Sequence, residues 1–294
     1  MAGPKIVFSV PAHEGVAVIQ DQIANLRRFV PGSQVVLHLS EGFYYLQKRG
    51  VPVRSAPWMR LSTIPGLRAM PGVFVNDARM RTEWGNILHT HLSNFRYADR
   101  HLDFDYFVLL SSSCLLVRSG AAELMAEYDY GVIETTPKPE YEWRAANECD
   151  PVFQAIQADC GASELCVGQS EGTYYRRDAF RHIADTIERH WSFTPGHIRV
   201  HEEVYLPTVA STLGGRNGGS PIILKKHDVK LPPLDASLVD RLRREEVGDF
   251  YNESFAGGTM RMATIHKGAH LFGMRPVPRK MDDPLRRHIR DLPV

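Results

Sequence analysis

The 294-residue sequence holds only four cysteines, Cys114, Cys149, Cys160 and Cys166, with no Cys-x-x-Cys pair among them. Four thiols at irregular spacing make neither a disulfide framework nor a zinc site, and they agree with a reducing compartment. No apolar run approaches the roughly 20 residues that span a bilayer, and the apolar stretch in MAGPKIVFSVPAH is too short for a secretory signal. Net charge is nearly absent as well: 35 Lys and Arg against 34 Asp and Glu leave +1. Nothing global draws such a chain to nucleic acid or anionic lipid, so any anion site must be local. The expectation is a cytoplasmic protein without a membrane span, with peripheral membrane association left open. Internal repeats and interdomain linkers are missing too. With 43% hydrophobic residues the chain has ample material for one core, so residues 1–294 are read as a single domain.

What is present follows a β-α-β order. KIVFSV is a β-rich run, VAVIQDQIANLRRFV has apolar residues at helical spacing, and QVVLHLS supplies a second strand. Such units build parallel sheets, whose ligands lie beyond the carboxyl ends of the strands. VFVN reads as a strand, residues 82–97 as a helix, and FDYFVLLSS as a central strand because it is apolar on both faces. A helix near 119–128 and a strand YGVIET lead into a stretch read as irregular, about 137–171, a candidate acceptor-binding insertion. A strand entering a helix, GTYYRRDAFRHIADTIERHW, precedes a helix in VHEEVYLPTVASTLGG, stopped by Gly214-Gly215. The C-terminal segment, about 255–294, reads as strand and loop with a basic tail.

Three constellations could carry chemistry. Glu202 and Glu203 adjoin at a helix start, where carboxylates suit the positive helix end; alternatively one of them faces a cleft and takes a proton from a hydroxyl nucleophile. Ser111, Ser112 and Ser113 emerge with Cys114 at the outlet of the central strand, as an ordinary polar turn or as a ligand wall. Arg261, Lys267, Arg275, Arg279 and Lys280 lie among glycines in a segment too apolar for a free tail, where they could wrap a diphosphate. His13 and Glu14 occupy the first strand's outlet. Asp103-Phe-Asp105 has the form of a metal-binding DxD but precedes its strand, so no metal is assigned to it. The thirteen histidines are dispersed, with His89 and His91 on different helix faces, and read as surface or core residues.

In this order, the elements resemble the core-2/I-branching N-acetylglucosaminyltransferase and peptide xylosyltransferase family, including its bacterial members. The likeness is carried by Glu83-Trp84-Gly85, by Phe104-Asp-Tyr-Phe-Val-Leu-Leu-Ser-Ser, by Glu171-Gly-Thr-Tyr-Tyr-Arg-Arg-Asp-Ala-Phe180, by Glu202-Glu203-Val-Tyr-Leu-Pro-Thr208 and by Leu271-Phe-Gly-Met-Arg275 with Arg279-Lys280. One departure stands out: Cys114 occupies about the place of an acid in the family's turn. The resemblance implies a GT-A-type α/β sandwich with a mixed, mainly parallel sheet flanked by helices. It implies an inverting, metal-independent transfer of a hexosyl or pentosyl group from a UDP-linked sugar to a glycan or lipid-linked acceptor, as in polysaccharide biosynthesis, with no cofactor. Glu203 would be the base. His13, Glu14, Ser111, Ser112, Ser113, Arg261, Lys267, Arg275, Arg279 and Lys280 would bind the donor, and Glu171 and Trp84 the acceptor. Rival readings are a nucleotide- or glycan-binding relative without turnover and, lastly, a serine hydrolase using Ser111 to Ser113, though no Gly-x-Ser-x-Gly elbow surrounds them.

Overall fold

A computed structural model describes residues 3–41, 43–46, 52–54, 64–83, 85–133, 144–196, 199–225, 234–256 and 259–294. Strand β1 (Ile6–Ala12) leads through helix α1 (Val16–Phe29) to β2 (Gln34–Leu39), as the β-α-β reading expects. There follow β3 (Phe43–Leu46), β4 (Pro52–Arg54), α2 (Ile64–Arg68), β5 (Val73–Asn76) and β6 (Thr82–Glu83). Helix α3 (Leu88–His101) precedes β7 (Tyr106–Leu109), β8 (Leu115–Leu116), α4 (Ala121–Ala126) and β9 (Tyr130–Gly131). Then come α5 (Arg144–Glu148), α6 (Pro151–Cys160), β10 (Tyr174–Arg176), α7 (Arg177–Glu188) and α8 (His201–Ala210). The remainder is β11 (Ile223–Lys225), α9 (Ala236–Arg243), the hairpin β12 (Phe250–Ala256) and β13 (Thr259–His266), β14 (Gly273–Arg275) and α10 (Pro284–Asp291).

The main sheet has the order β5-β2-β1-β7-β10-β9. Its first four strands are mutually parallel, and β10 runs antiparallel to both neighbours, so the sheet is mixed and mainly parallel. Strand alternation assigns the two faces. Ile6, Phe8 and Val10 of β1 join a core with Ile19, Ile23 and Leu26 of α1 and Ile289 of α10. Val7, with Phe107 and Leu109 of β7, meets Leu92 and Phe95 of α3, Phe153 of α6, Ile183 of α7 and Tyr205 of α8. Each such side chain, fully buried, stabilises the fold by roughly 1.5–3 kcal/mol before its ordering cost. Helices therefore cover both faces, and β7, apolar on both, is central as its sequence predicts.

Three elements differ from the sequence reading. The helix expected over 82–97 begins only at Leu88, because Thr82 and Glu83 pair with β3 instead. The stretch expected to be irregular contains α5 and α6; Asp150 caps α6 by accepting from the Val152 amide at 2.9 Å, with Pro151 in its first turn and left-handed Gly161 at its end. Phe153 and Ile156 of α6 lie in the core. The basic tail is the amphipathic helix α10, capped by Asp283 and burying Leu285, Arg286 and Ile289.

Candidate active site

Because β1 and β7 are parallel neighbours, their carboxyl ends open at one edge of the sheet. Glu14 follows β1 and is almost fully buried, with Oε1 at 3.0 Å from His13 Nε2 and 2.5 Å from Arg279 Nε. Burial alone would favour its neutral form. The hydrogen bond and charge of His13 and the charge of Arg279 outweigh this and hold the carboxyl at about 2, so Glu14 is a fixed anion. Beside it the turn after β7 is pinned from α1: Gln22 Nε2 donates to the Ser111 and Cys114 carbonyls at 2.8 and 3.0 Å. Ser111 Oγ lies 3.1 Å from Ser113 Oγ and 3.3 Å from Cys114 Sγ.

The far end of the chain is bound along this turn. Strand β14 pairs antiparallel with β8, and the Val277 amide donates to the Ser113 carbonyl at 2.9 Å. That register delivers Arg275 to Glu171, with which it forms an ion pair. Glu171 is itself held at the outlet of β7, since the amide of Gly172 donates to the Leu109 carbonyl at 2.7 Å. Cys114 is fully enclosed; burial pushes its thiol up, against the pull of Arg275, so at neutral pH it is no substitute for the acid that the family resemblance places in this turn.

Helix α8 supplies the paired acids. Its N-cap, Val200, has φ 49° and ψ 44°, a left-handed conformation that costs a β-branched residue on the order of 1–2 kcal/mol. The surroundings impose it: the Val200 amide donates to the Gly85 carbonyl at 2.8 Å, and just upstream the Gly196 amide donates to Glu83 Oε2 at 2.8 Å. Glu83 is anchored in turn by Arg81, 2.5 Å away. Glu202, fully buried, accepts from the Ile87 amide at 3.4 Å. Burial first, then the charges of Glu203 and Glu171, push its carboxyl up to about 8. Glu203 is half-buried on the same turn, its amide donating to Val200 O at 2.8 Å and its carbonyl accepting from Gly168 N at 2.9 Å. Dipole compensation needs no burial, so the enclosure of Glu202 points to more than a charged helix start.

Sequence reasoning did not bring together three histidines of β2 and α3. His38 on β2 and His89 and His91 on α3 are all buried and electrostatically coupled. His38 Nε2 accepts from the Met80 amide at 3.0 Å, His89 Nε2 donates to the Arg81 carbonyl at 2.8 Å, and His91 Nδ1 meets Ser9 Oγ at 2.9 Å. Burial pushes all three down, to about 3, 4 and 3, so they are neutral at physiological pH. A signal existed in Ser9 and His38, polar breaks in the otherwise apolar strands IVFSVPA and QVVLHL.

The structure thus gathers His13, Glu14, Ser111, Ser112, Ser113, Glu171, Arg275 and Arg279, with Glu203 linked to them through Glu202 and Glu171. Lys267 is placed differently, exposed beside His270 ahead of β14, and Lys280 is exposed. Trp84 and the side chain of Arg261 lie outside the described residues. Asp103 and Asp105 sit at the opposite edge of the sheet, where Lys5 binds both. A cavity of about 450 Å³, lined by Asp105, Asp129, Arg176, Asp178 and His182, also opens at that far edge and not beside the acids. Among the described residues, no group of three or more His, Cys, Asp or Glu is placed to hold a metal ion.

The open α/β sheet thus places acids and arginines at the outlet of its parallel strands, the edge at which such sheets hold their ligands. No protein-family model matches the sequence, and no curated protein does. Among solved structures, the chain is similar to S. aureus TarS 1–349, with a TM-score of 0.39 and 13% identity over 72% of this chain. It spans only 57% of that TarS chain. It is also similar to the galactosyltransferase LgtC in complex with donor and acceptor sugar analogs, with a TM-score of 0.36 and 9% identity over 76% of each chain.

Proposed function

We propose that this protein is a glycosyltransferase of the GT-A kind, inverting and metal-independent, moving a hexosyl or pentosyl group from a UDP-linked sugar to a hydroxyl of a glycan or lipid-linked acceptor. The observation that carries the reading is the convergence of Arg275 and Arg279, from the far end of the chain, on the strand outlets that also hold Glu14, the serine turn and, through Glu171, the α8 acids. Glu203 takes the proton of the acceptor hydroxyl as that oxygen attacks the anomeric carbon. The bond from the anomeric carbon to the diphosphate breaks on the opposite face, and its electron pair leaves on the nucleoside diphosphate. Arg275 and Arg279 stabilise the charge that develops there. Carboxylates orient both guanidinium groups at these outlets, Glu171 that of Arg275 and Glu14 that of Arg279. The serine turn lines the sugar, while His13 and Glu14 border the nucleoside and Glu171 the acceptor side.

The test is transfer or hydrolysis of UDP-, GDP-, dTDP- and CMP-linked sugars, with thermal shift to find the donor that stabilises the fold. Glu203→Gln should abolish turnover and leave nucleotide binding nearly intact; equal turnover in the variant removes Glu203 from the mechanism. A nucleotide- or glycan-binding protein without turnover is the second reading, favoured by the enclosed thiol of Cys114 in the serine turn. It predicts stabilisation by nucleotide with no consumption of the sugar donor.

A further inference from the structure

Glu202 adjoins Glu203 in the first turn of α8 and feels the charges of both Glu203 and Glu171. Like charges so crowded do not all ionise together, and the proton resides on the member least able to be solvated or paired. Glu171 has the Arg275 guanidinium. Glu203 is half-exposed. Glu202 is enclosed, and its donors are backbone amides, its own and that of Ile87 at 3.4 Å, a long contact. The groups around it come from every packed element: Glu203 and His201 from its own helix, Glu171 from the loop before β10, and Asn86 and Ile87 from the start of α3. His201 Nδ1 engages Asn86 Oδ1 at 3.2 Å, and His91, neutral, faces Glu171.

We propose that Glu202 is a positioning residue held as the neutral acid, so that no second enclosed charge sits beside Glu203, the base. This rests on the glycosyltransferase reading for the role of Glu203, while the state of Glu202 is testable without it. In the reaction the Glu202 proton stays in place, and the acceptor hydroxyl proton goes to Glu203. A glutamine at 202 copies the shape and neutrality of the protonated acid, whereas a glutamine at 203 removes the base.

Two measurements on the full chain decide. First, the melting temperatures of Glu202→Gln and wild type are compared from pH 5 to pH 8. The folded carboxyl, at about 8, keeps a proton that the unfolded chain releases near its ordinary 4.5, so wild-type stability falls across this window as pH rises. The variant lacks that loss, and its melting temperature should gain on wild type steadily toward pH 8. A difference constant with pH overturns the proposal, since a purely structural role predicts that. Second, with the donor identified, Glu203→Gln should lose at least about 100-fold in kcat, and the loss in Glu202→Gln should be at least tenfold smaller. Equal losses overturn the division of roles. If wild type turns over no nucleotide-sugar, the glycosyltransferase reading fails, and the melting series still tests Glu202.

Discussion

Gly168→Ala tests how the site is built without touching any group that meets substrate. A Cβ at this position would lie 2.0 Å from the carbonyl oxygen of Ile133, 3.2 Å from its carbonyl carbon and 3.4 Å from Pro207 Cβ on α8. Real Cβ contacts stay above 3.0 Å, so backbone must open by about 1 Å. The Gly168 amide also donates to the Glu203 carbonyl, and Pro207 lies on the same helix, so the displacement is transmitted to the first turn of α8. Alanine normally stabilises such a site by roughly 0.4–1 kcal/mol through the unfolded chain. Overpacking against backbone costs roughly 1–3 kcal/mol, so the clash outweighs that gain and the melting temperature should drop, by up to roughly 10 °C. If Glu203 is the base as proposed, displacing it by about 1 Å costs on the order of 100-fold in rate, so kcat should fall far more than the stability loss explains. Gly66→Ala in α2, where an added Cβ meets nothing within 4 Å, should lower neither and serves as the control. Thermal unfolding and initial-rate kinetics on the folded variant suffice. Wild-type kcat with an unchanged melting temperature in Gly168→Ala would refute the packing of α8 described above.

Asp21→Ala should destabilise by roughly 3–5 kcal/mol, because it strands the fully buried Arg286 with the Pro278 carbonyl at 2.7 Å; Arg290→Ala, whose pairing with the same aspartate is exposed, should cost at most about 1 kcal/mol. Denaturant titration distinguishes the two, and equal costs would contradict the burial of Arg286. For His91, depressed to about 3 in the fold against an ordinary 6.5, the unfolded chain binds the proton first, so this neutral histidine costs wild-type stability as pH falls from 6.5 toward 3. The melting-temperature advantage of wild type over His91→Asn should therefore shrink between pH 7 and pH 4; an advantage that holds constant would show His91 to be ordinarily solvated. On the proposed function, turnover should survive EDTA, and nucleotide affinity should weaken as salt rises, because the proposed diphosphate contacts are electrostatic. Loss on chelation with rescue by manganese would return attention to Asp103 and Asp105.

Local pattern made much of the architecture legible. The β-rich apolar runs of β1 and β2 and the helical spacing of α1 sufficed to expect a parallel unit, and the doubly apolar β7 announced its central place. The start of α6 was also written in Asp150-Pro151, as was that of α10 in Asp283-Pro284, although both segments read as irregular or as tail from composition alone. What the sequence determined by itself is thus the class of fold, the outlets of its strands, and the residue types at those outlets. Only tertiary structure decided which of those residues meet. Arg275 and Glu171 are separated by 104 positions, and Arg279 and Glu14 by 265, so no local propensity can encode their pairing. The same holds for burial: Glu202 and Glu203 are identical in type and adjacent in sequence, yet one is enclosed and the other half-exposed. The protonation of a carboxyl depends on how much water and which charges surround it, and these are set by chain segments that fold in from elsewhere.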